Sequence, residues 1–245
     1  ISTALLLGHA KQKPKIYRNI TLAFLVPIAC MFLLGMTQEQ RGADPEINKP
    51  FSSPSFDHWV DVFESPGREI YDKRIELLEK LEIKLGMDVA DIGAGTGLFS
   101  WLIANKVGKT GNVYAVDISK EFTDNIDRIA KEQNIHNIET ILNDQYHVGL
   151  LPSSIDLALI VDTYHHFEFP EAMMRSIHKS LKPAGEIVIV DFRRQPGVSN
   201  PWILGHVRSG RASVIKEIEQ QGFELIENLD FMKANFFLRF RKNSE

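Results

Sequence analysis

Cysteine is almost absent from this 245-residue chain, which has one, Cys30. A single thiol excludes an intrachain disulfide framework in any compartment. It equally excludes a metal site that needs two or more thiolate ligands. Cys30 lies in an apolar N-terminal stretch, so the body of the chain has no cysteine, which removes thiol catalysis and thiol-based arsenic chemistry. A surplus of positive charge is also missing. Lys and Arg total 28 against 32 Asp and Glu, a net charge of −4, so the chain as a whole is not the basic body of a nucleic-acid binder. No internal repeat is present, and no Met opens the chain; Ile1 is expected to follow further sequence or a processing boundary.

Hydrophobic residues at 44% and charged residues at 24% exclude wholesale disorder, and the length holds one sizeable core or two small ones. The charge is unevenly spread. Residues 1–36 hold Lys11, Lys13, Lys15 and Arg18 and no acid, a charge of +4 that leaves −8 for the rest. An uncharged run of 17 residues, Ile20–Met36, follows the basic cluster. As a helix at ~1.5 Å per residue it would reach roughly 26 Å, just short of an average ~30 Å hydrocarbon layer. A basic stretch before an apolar run is the layout of a signal peptide or a short membrane anchor. That reading makes the protein membrane-associated or exported (periplasmic or secreted), with the main domain outside. Two others stay open: a buried N-terminal helix, or an upstream stretch outside the working protein, with translation from Met31 or Met36 and a cytoplasmic product. Residues 37–65 read as a linker and extended arm, because Pro45, Pro50 and Pro54 stand among polar groups. Residues 66–245 read as the main domain.

From residue 66 the pattern becomes regular. Pro66–Leu81 is expected as one helix, with Ser65 as N-cap, Pro66 at the first position and Glu69 near the capping-box position. Strands are expected at 88–92, 112–117, 138–142, 155–161 and 186–192, alternating with helices at 98–107, 120–133, 170–180 and 209–221. Such alternation means a parallel sheet covered on both faces. Two final strand-like runs, 223–229 and 236–241, have only a short connection and read as a hairpin at the sheet edge.

The strongest local signal is Val89-Ala-Asp-Ile-Gly-Ala-Gly-Thr-Gly-Leu98. A strand runs into a glycine turn and a helix, at the end of a parallel sheet where open α/β folds bind ligands. The dinucleotide fingerprint would need Gly where the chain has Leu98. Asp91, two residues before the first glycine, would repel a pyrophosphate and attract a cationic amino group. Asp117 closes the second strand and can accept two ribose hydroxyls, or simply cap the following helix. Asp144 can accept from an exocyclic amine, or be an ordinary loop acid.

These residues, with Tyr114–Ile118, Asn143-Asp144, Asp156–His166 and Leu181–Asp191, resemble the successive motifs of class I S-adenosylmethionine-dependent methyltransferases. The likeness is greatest to the branch holding the ubiquinone and menaquinone biosynthesis enzymes, and it covers roughly residues 70–245. It implies a three-layer, Rossmann-like α/β fold whose seven-stranded sheet is mostly parallel with an antiparallel C-terminal strand. It implies S-adenosyl-L-methionine as cofactor. Asp91, Gly93, Ala94, Gly95 and Gly97 would hold its methionine part, Asp117 its ribose, and Ile118, Asn143 and Asp144 its adenine. Asn143 stands where the family often has Gly.

Methyl transfer from a sulfonium is an in-line displacement that needs alignment and desolvation. A general base is needed only if the acceptor has a proton to lose. Asp162, Tyr164, His165 and His166, after the fourth strand, are the candidates; one histidine could equally pack under the loop while the other is solvated. A metal at this pair with His206 or Asp191 is set aside, because adjacent histidines are expected to point apart, so no metal is expected. Arg193, Trp202, His206 and Arg208 are candidate acceptor contacts, against the alternative that they are solvated loop groups. Phe56–Phe63 and Arg68–Tyr71 are placed to cover the cofactor. The expected activity is methyl transfer to a small-molecule or lipid-like acceptor, with residues 20–36 as a possible membrane tether. The alternatives are binding of the cofactor without transfer, or a nicotinamide-dependent oxidoreductase. The oligomeric state is left open.

Overall fold

A computed structural model describes residues 42–243. The expected signal or anchor at residues 1–36 lies outside the described residues. Among those that are described, no helix is long and apolar enough to cross a membrane.

The sheet has seven strands: β1 (Asp88–Ile92), β2 (Asn112–Asp117), β3 (Ile138–Leu142), β4 (Ile155–Val161), β5 (Leu181–Phe192), β6 (Phe223–Leu229) and β7 (Asn235–Lys242). Their spatial order is β3-β2-β1-β4-β5-β7-β6. Pairs from β3 to β5 are parallel, and β7 runs antiparallel to both β5 and β6. The expected reversed strand is therefore present, inserted between β5 and β6. Chain order reverses between β1 and β4, so the strand ends there leave a crevice.

Alternation builds the core. Successive side chains of a strand point to opposite faces. Ala158, Ile160, Ile187 and Ile189 pack on one face with Met174 and Ile177 of helix Pro170–Ser180 and Ile218 of helix Arg211–Glu219. Leu157, Leu159, Val188 and Val190 pack on the other with Ile103 of helix Leu98–Val107 and Leu77 and Leu81 from the N-terminal helices. The central strands are buried on both sides, which is why they read as continuous apolar runs.

In chain order the helices are α1 (Phe56–Phe63), α2 (Glu69–Asp72), α3 (Arg74–Lys80), α4 (Leu98–Val107), α5 (Lys120–Glu132), α6 (Pro170–Ser180), α7 (Pro201–His206) and α8 (Arg211–Glu219). Several expectations need correction. The single helix over 66–81 is two short ones: Gly67 has φ +95°, so Ser65-Pro66-Gly67 is a turn, and the chain breaks again at Lys73. Glu69 makes no capping box. Its carboxylate instead accepts the backbone N–H groups of Lys233, Ala234 and Asn235 at 2.6, 2.7 and 3.1 Å, tying α2 to the β6–β7 connection. The arm is also less extended than its prolines imply. Pro45 starts a 3₁₀ helix, Pro45–Phe51, capped by Asp44, and α1 follows. Finally, β5 begins early, with Leu181 opposite Ile155 before a register shift, and Asn200 caps a short α7 in what reads as plain loop.

Three charge-assisted bonds to one carboxylate are worth more than one cap. Glu69→Ala is expected to lower stability by about 1.5–3 kcal/mol in urea unfolding, because it strands three backbone donors at once.

Candidate functional site

A cavity of about 900 Å³ opens at the carboxyl ends of β1, β2, β4 and β5. The glycine turn forms its floor. Gly93 has φ +74°, and a Cβ there would run into the Thr163 side chain, so only glycine lets β1 and β4 end this close together. The N–H groups of Gly93 and Ala94 both bond Val116 O, and Gly95 N–H donates to Asp117 Oδ2 at 2.8 Å. Gly97 does not line the cavity. It opens α4 with φ +85°, and a Cβ would meet Trp101, so its part is close helix packing.

Buried carboxylates crowd this end. Asp91 accepts from Ser100 Oγ at 2.7 Å. Burial pushes its pKa up from 3.8 to about 6, against the pull of Ser100 and with a further push from the Asp117 charge. Asp117 accepts N–H groups from Gly95 and Ser119, yet burial raises it to about 6 as well. It thus does anchor the turn before α5, and each oxygen keeps a lone pair for a hydroxyl donor. Ile118, Asn143 and Asp144 stand at the rim. The Asn143 amide turns back onto its own loop, bonding Asp144 O and His147 O. Asp144 is exposed, and the N–H groups of Tyr146 and His147 hold its pKa low.

The loop after β4 supplies the opposite wall. Asp162 is gripped by Arg68 at 2.7 Å and Asn235 at 2.5 Å. Burial still raises its pKa to about 6 against the Arg68 charge. Each oxygen takes one of these bonds, so Asp162 anchors the α1–α2 segment at the end of β4 while it lines the cavity. His165 is buried, with Nδ1 2.6 Å from Asp191 Oδ1 and its backbone N–H on Asp191 Oδ2. Burial opposes its protonation, but the Asp191 charge and hydrogen bond prevail and its pKa is raised. His166 Nδ1 meets Asn48 Oδ1 at 2.7 Å; burial and the nearby His165 and His206 push its pKa to about 2. His206 stacks on Trp202 with ring centroids 4.5 Å apart, and both line the cavity. The expectation that the two adjacent histidines point apart is corrected: their rings are 4.2 Å apart, and His206 lies 5.1 and 5.2 Å from them.

Three candidates fall away from the cavity. Tyr164 is buried behind the loop, donating to Glu217 Oε2 at 2.7 Å. Arg208 clasps the same Glu217 at 2.6 and 2.8 Å and sits over the Tyr164 ring. This trio pins the loop to α8, so neither residue is placed for acceptor or base. Arg193 bonds Asn235 O and pairs with Asp230.

The arm closes the cavity. Phe51, Trp59 and Phe63 form a ladder at 4.7 and 4.8 Å, and Phe63 lies on Gly95. Thr96 Oγ1 bonds Glu64 at 2.7 Å, and Asn48 bonds His166 O and Glu168. Sequence reasoning passes over Asn48, Phe51 and Glu64, because nothing in a polar, proline-containing stretch marks them. It also gives Asp191 no role of its own, although a strand-end carboxylate is the same signal that marks Asp91 and Asp117.

A family model described as a methyltransferase domain matches residues 83–237, more than half of the chain. The demethylmenaquinone methyltransferase of Lactobacillus johnsonii is 28% identical over 131 residues, which is 53% of this chain and 52% of that protein. The chain thus spans about half the length of that curated relative. Among solved structures, a SAM-dependent methyltransferase from Aquifex aeolicus superposes with TM-score 0.66 at 21% identity, covering 75% of this chain and 97% of that one. A 1,6-didemethyltoxoflavin-N1-methyltransferase from Burkholderia thailandensis, solved with its substrate and S-adenosylhomocysteine, gives TM-score 0.60 at 16% identity over 78% of this chain and 84% of that one. At these identities the structural likeness carries the fold.

The buried carboxylates imply a pH signature. An acid whose pKa is higher folded than unfolded binds more protons in the folded state between the two values, so stability falls as pH rises from about 4 to 6. Asp91→Asn is expected to flatten that fall in urea titrations at pH 4.5 and 7. It should leave the variant more stable than the parent at pH 7, by up to about 3 kcal/mol, because the parent's acid ionises near 6 folded and near 3.8 unfolded.

Proposed function

The chain belongs to the class I S-adenosylmethionine-dependent methyltransferases, and from that premise we propose that it transfers a methyl group to a small planar, largely apolar acceptor within this cavity. The observation that carries the reading is a division of one cavity into two chemically distinct ends. One end holds the glycine turn with Asp91 and Asp117, buried acids short of cationic and hydroxyl partners. The other holds Phe192, Trp202, His165, His166 and His206.

The chain fits the cofactor on its own terms. Asp91 has one hydroxyl partner and an elevated pKa, a poor arrangement for an acid alone and a good one beside an ammonium or sulfonium. Gly93 and Gly95 both hold positive φ, and a Cβ on either would press on Thr163 or Phe63, so glycine keeps the turn in the shape that lines the cavity. Asp91, Gly93, Ala94 and Gly95 would hold the methionine end, Asp117 the ribose, and Ile118, Asn143 and Asp144 the adenine. When bound, S-adenosylmethionine supplies an electrophilic methyl group and a neutral thioether leaving group. The protein's part is alignment and exclusion of water. The Phe51–Trp59–Phe63 ladder over the glycine turn removes water from the reacting end, and Arg68 on Asp162 holds the α1–α2 segment in place. The aromatic acceptor end suits a ring, in keeping with the demethylmenaquinone of similar proteins' names. A membrane tether through residues 20–36 would hold the enzyme near such a lipid-like acceptor, and cell fractionation with N-terminal mass spectrometry tests this.

Calorimetry is expected to show binding of S-adenosylmethionine and none of NAD; the reverse would overturn the reading. Asp91→Ala and Asp117→Ala should each weaken cofactor binding by at least about tenfold, as loss of a charge-assisted bond predicts. Parent affinity should rise with pH through about 6, with proton release on binding, because a cationic ligand favours the ionised carboxylates. Release of S-adenosylhomocysteine with a panel of hydroxylated ring compounds tests transfer itself.

A further inference from the structure

Three imidazoles from two separate segments converge on the acceptor wall. His165 and His166 come from the loop after β4, and His206 from the end of α7. One ring nitrogen of each can be chosen so that all three lie within 4.8 Å of one another.

Hydrogen bonds on the far side of two rings decide what they present. Asp191 already accepts N–H groups from His165 and Phe192 and can only accept from the ring, so His165 Nδ1 carries a proton, and in the neutral ring that a metal ion requires Nε2 carries the lone pair. That Nε2 is buried and has no hydrogen-bond partner. Asn48 commits its amide nitrogen to His166 O and Glu168, which turns its oxygen to the ring. His166 Nδ1 is therefore also the donor, and its Nε2 also presents a lone pair. A buried ring nitrogen with no partner, set among two further imidazoles, is the arrangement that a cation would complete.

We propose that His165, His166 and His206 bind a divalent transition-metal ion of the imidazole-preferring class, such as zinc, with its remaining position open to the cavity. Neutral imidazole is the ligand that zinc, copper, iron and nickel favour, and three protein ligands with one open position is the arrangement of catalytic rather than structural sites. Asp191 on His165 and Asn48 on His166 are the outer partners that fix tautomer and ring orientation in such sites. The ion brings ligand nitrogens to about 3.3 Å from one another at ~2.0–2.1 Å bonds, so the rings draw together on loading. In the open position the ion would take a hydroxyl oxygen of the acceptor. The O–H bond breaks, the oxygen keeps its electron pair on the metal, and the proton passes to water. This use of the ion rests on the methyltransferase reading above; the metal site does not.

The full chain without a polyhistidine tag is stripped with a chelator and titrated with Co²⁺, read by its visible absorption, and with Zn²⁺ by calorimetry. One equivalent per chain is expected, with Co²⁺ bands of low coordination number. His206→Ala, on a short surface helix, should weaken Zn²⁺ binding at least about tenfold, and Asp191→Asn by about 10–100-fold, while the distant His136→Ala leaves it unchanged. Circular dichroism and S-adenosylhomocysteine affinity report on folding and on the cofactor end of each variant. Absence of stoichiometric metal in a folded parent, or parent-like Zn²⁺ affinity in a folded His206→Ala variant, overturns the site. Metal binding without any affinity for S-adenosylhomocysteine sinks the methyltransferase reading and leaves the site standing.

Discussion

Four carboxylates at or just past the ends of four neighbouring parallel strands are sealed from bulk water in one crevice. Asp117 belongs to β2, Asp91 to β1, Asp162 to the turn after β4, and Asp191 to β5. Like charges buried together are costly unless each is compensated, and each here is compensated differently. Asp117 has two backbone N–H groups, Asp162 an arginine and an amide, Asp191 a histidine and two backbone N–H groups. Asp91 has a single serine hydroxyl. The least compensated acid marks the place where the protein is short of a cation, and it sits on the glycine turn.

The same constraint explains the arm. Arg68 reaches Asp162 from the α1–α2 segment, and Asn48 reaches His166 from the 3₁₀ helix. Polar groups left over at the sheet's end are thus satisfied by a segment that has little core of its own. Once tethered, that segment lays Phe51, Trp59 and Phe63 along the cavity. Apolar rings beside buried charges lower the local dielectric and strengthen the electrostatics there.

On the acceptor side, buried polar pairs divide into those that build and those that face the cavity. Tyr164, Glu217 and Arg208 close on one another and hold the loop to α8. His165 is held from behind by Asp191 and offers its other nitrogen forward. Adjacent residues in one turn of 3₁₀ helix therefore have opposite duties, set by which side of the turn each leaves.

Local sequence determined the strands, the glycine turn and the strand-end acids, because apolar period, glycine placement and capping act over a few residues. Val89–Leu98, Asp117 and the terminal antiparallel pair are legible for that reason. The single helix expected over 66–81 is broken by the turn at Gly67 and again at Lys73, and the expected capping box is absent because the Glu69 carboxylate binds three backbone donors more than 160 residues away, which no local pattern encodes. Tyr164, Arg193 and Arg208 resembled site residues by position, and their partners Glu217 and Asp230 drew them elsewhere. The convergence of His165 and His166 with His206, the use of Asp191 and Asn48 behind them, and the placement of the aromatic arm were decided only by tertiary structure. Each depends on a hydrogen bond or ring contact between distant segments, and such contacts exist only once the sheet has brought its strand ends together.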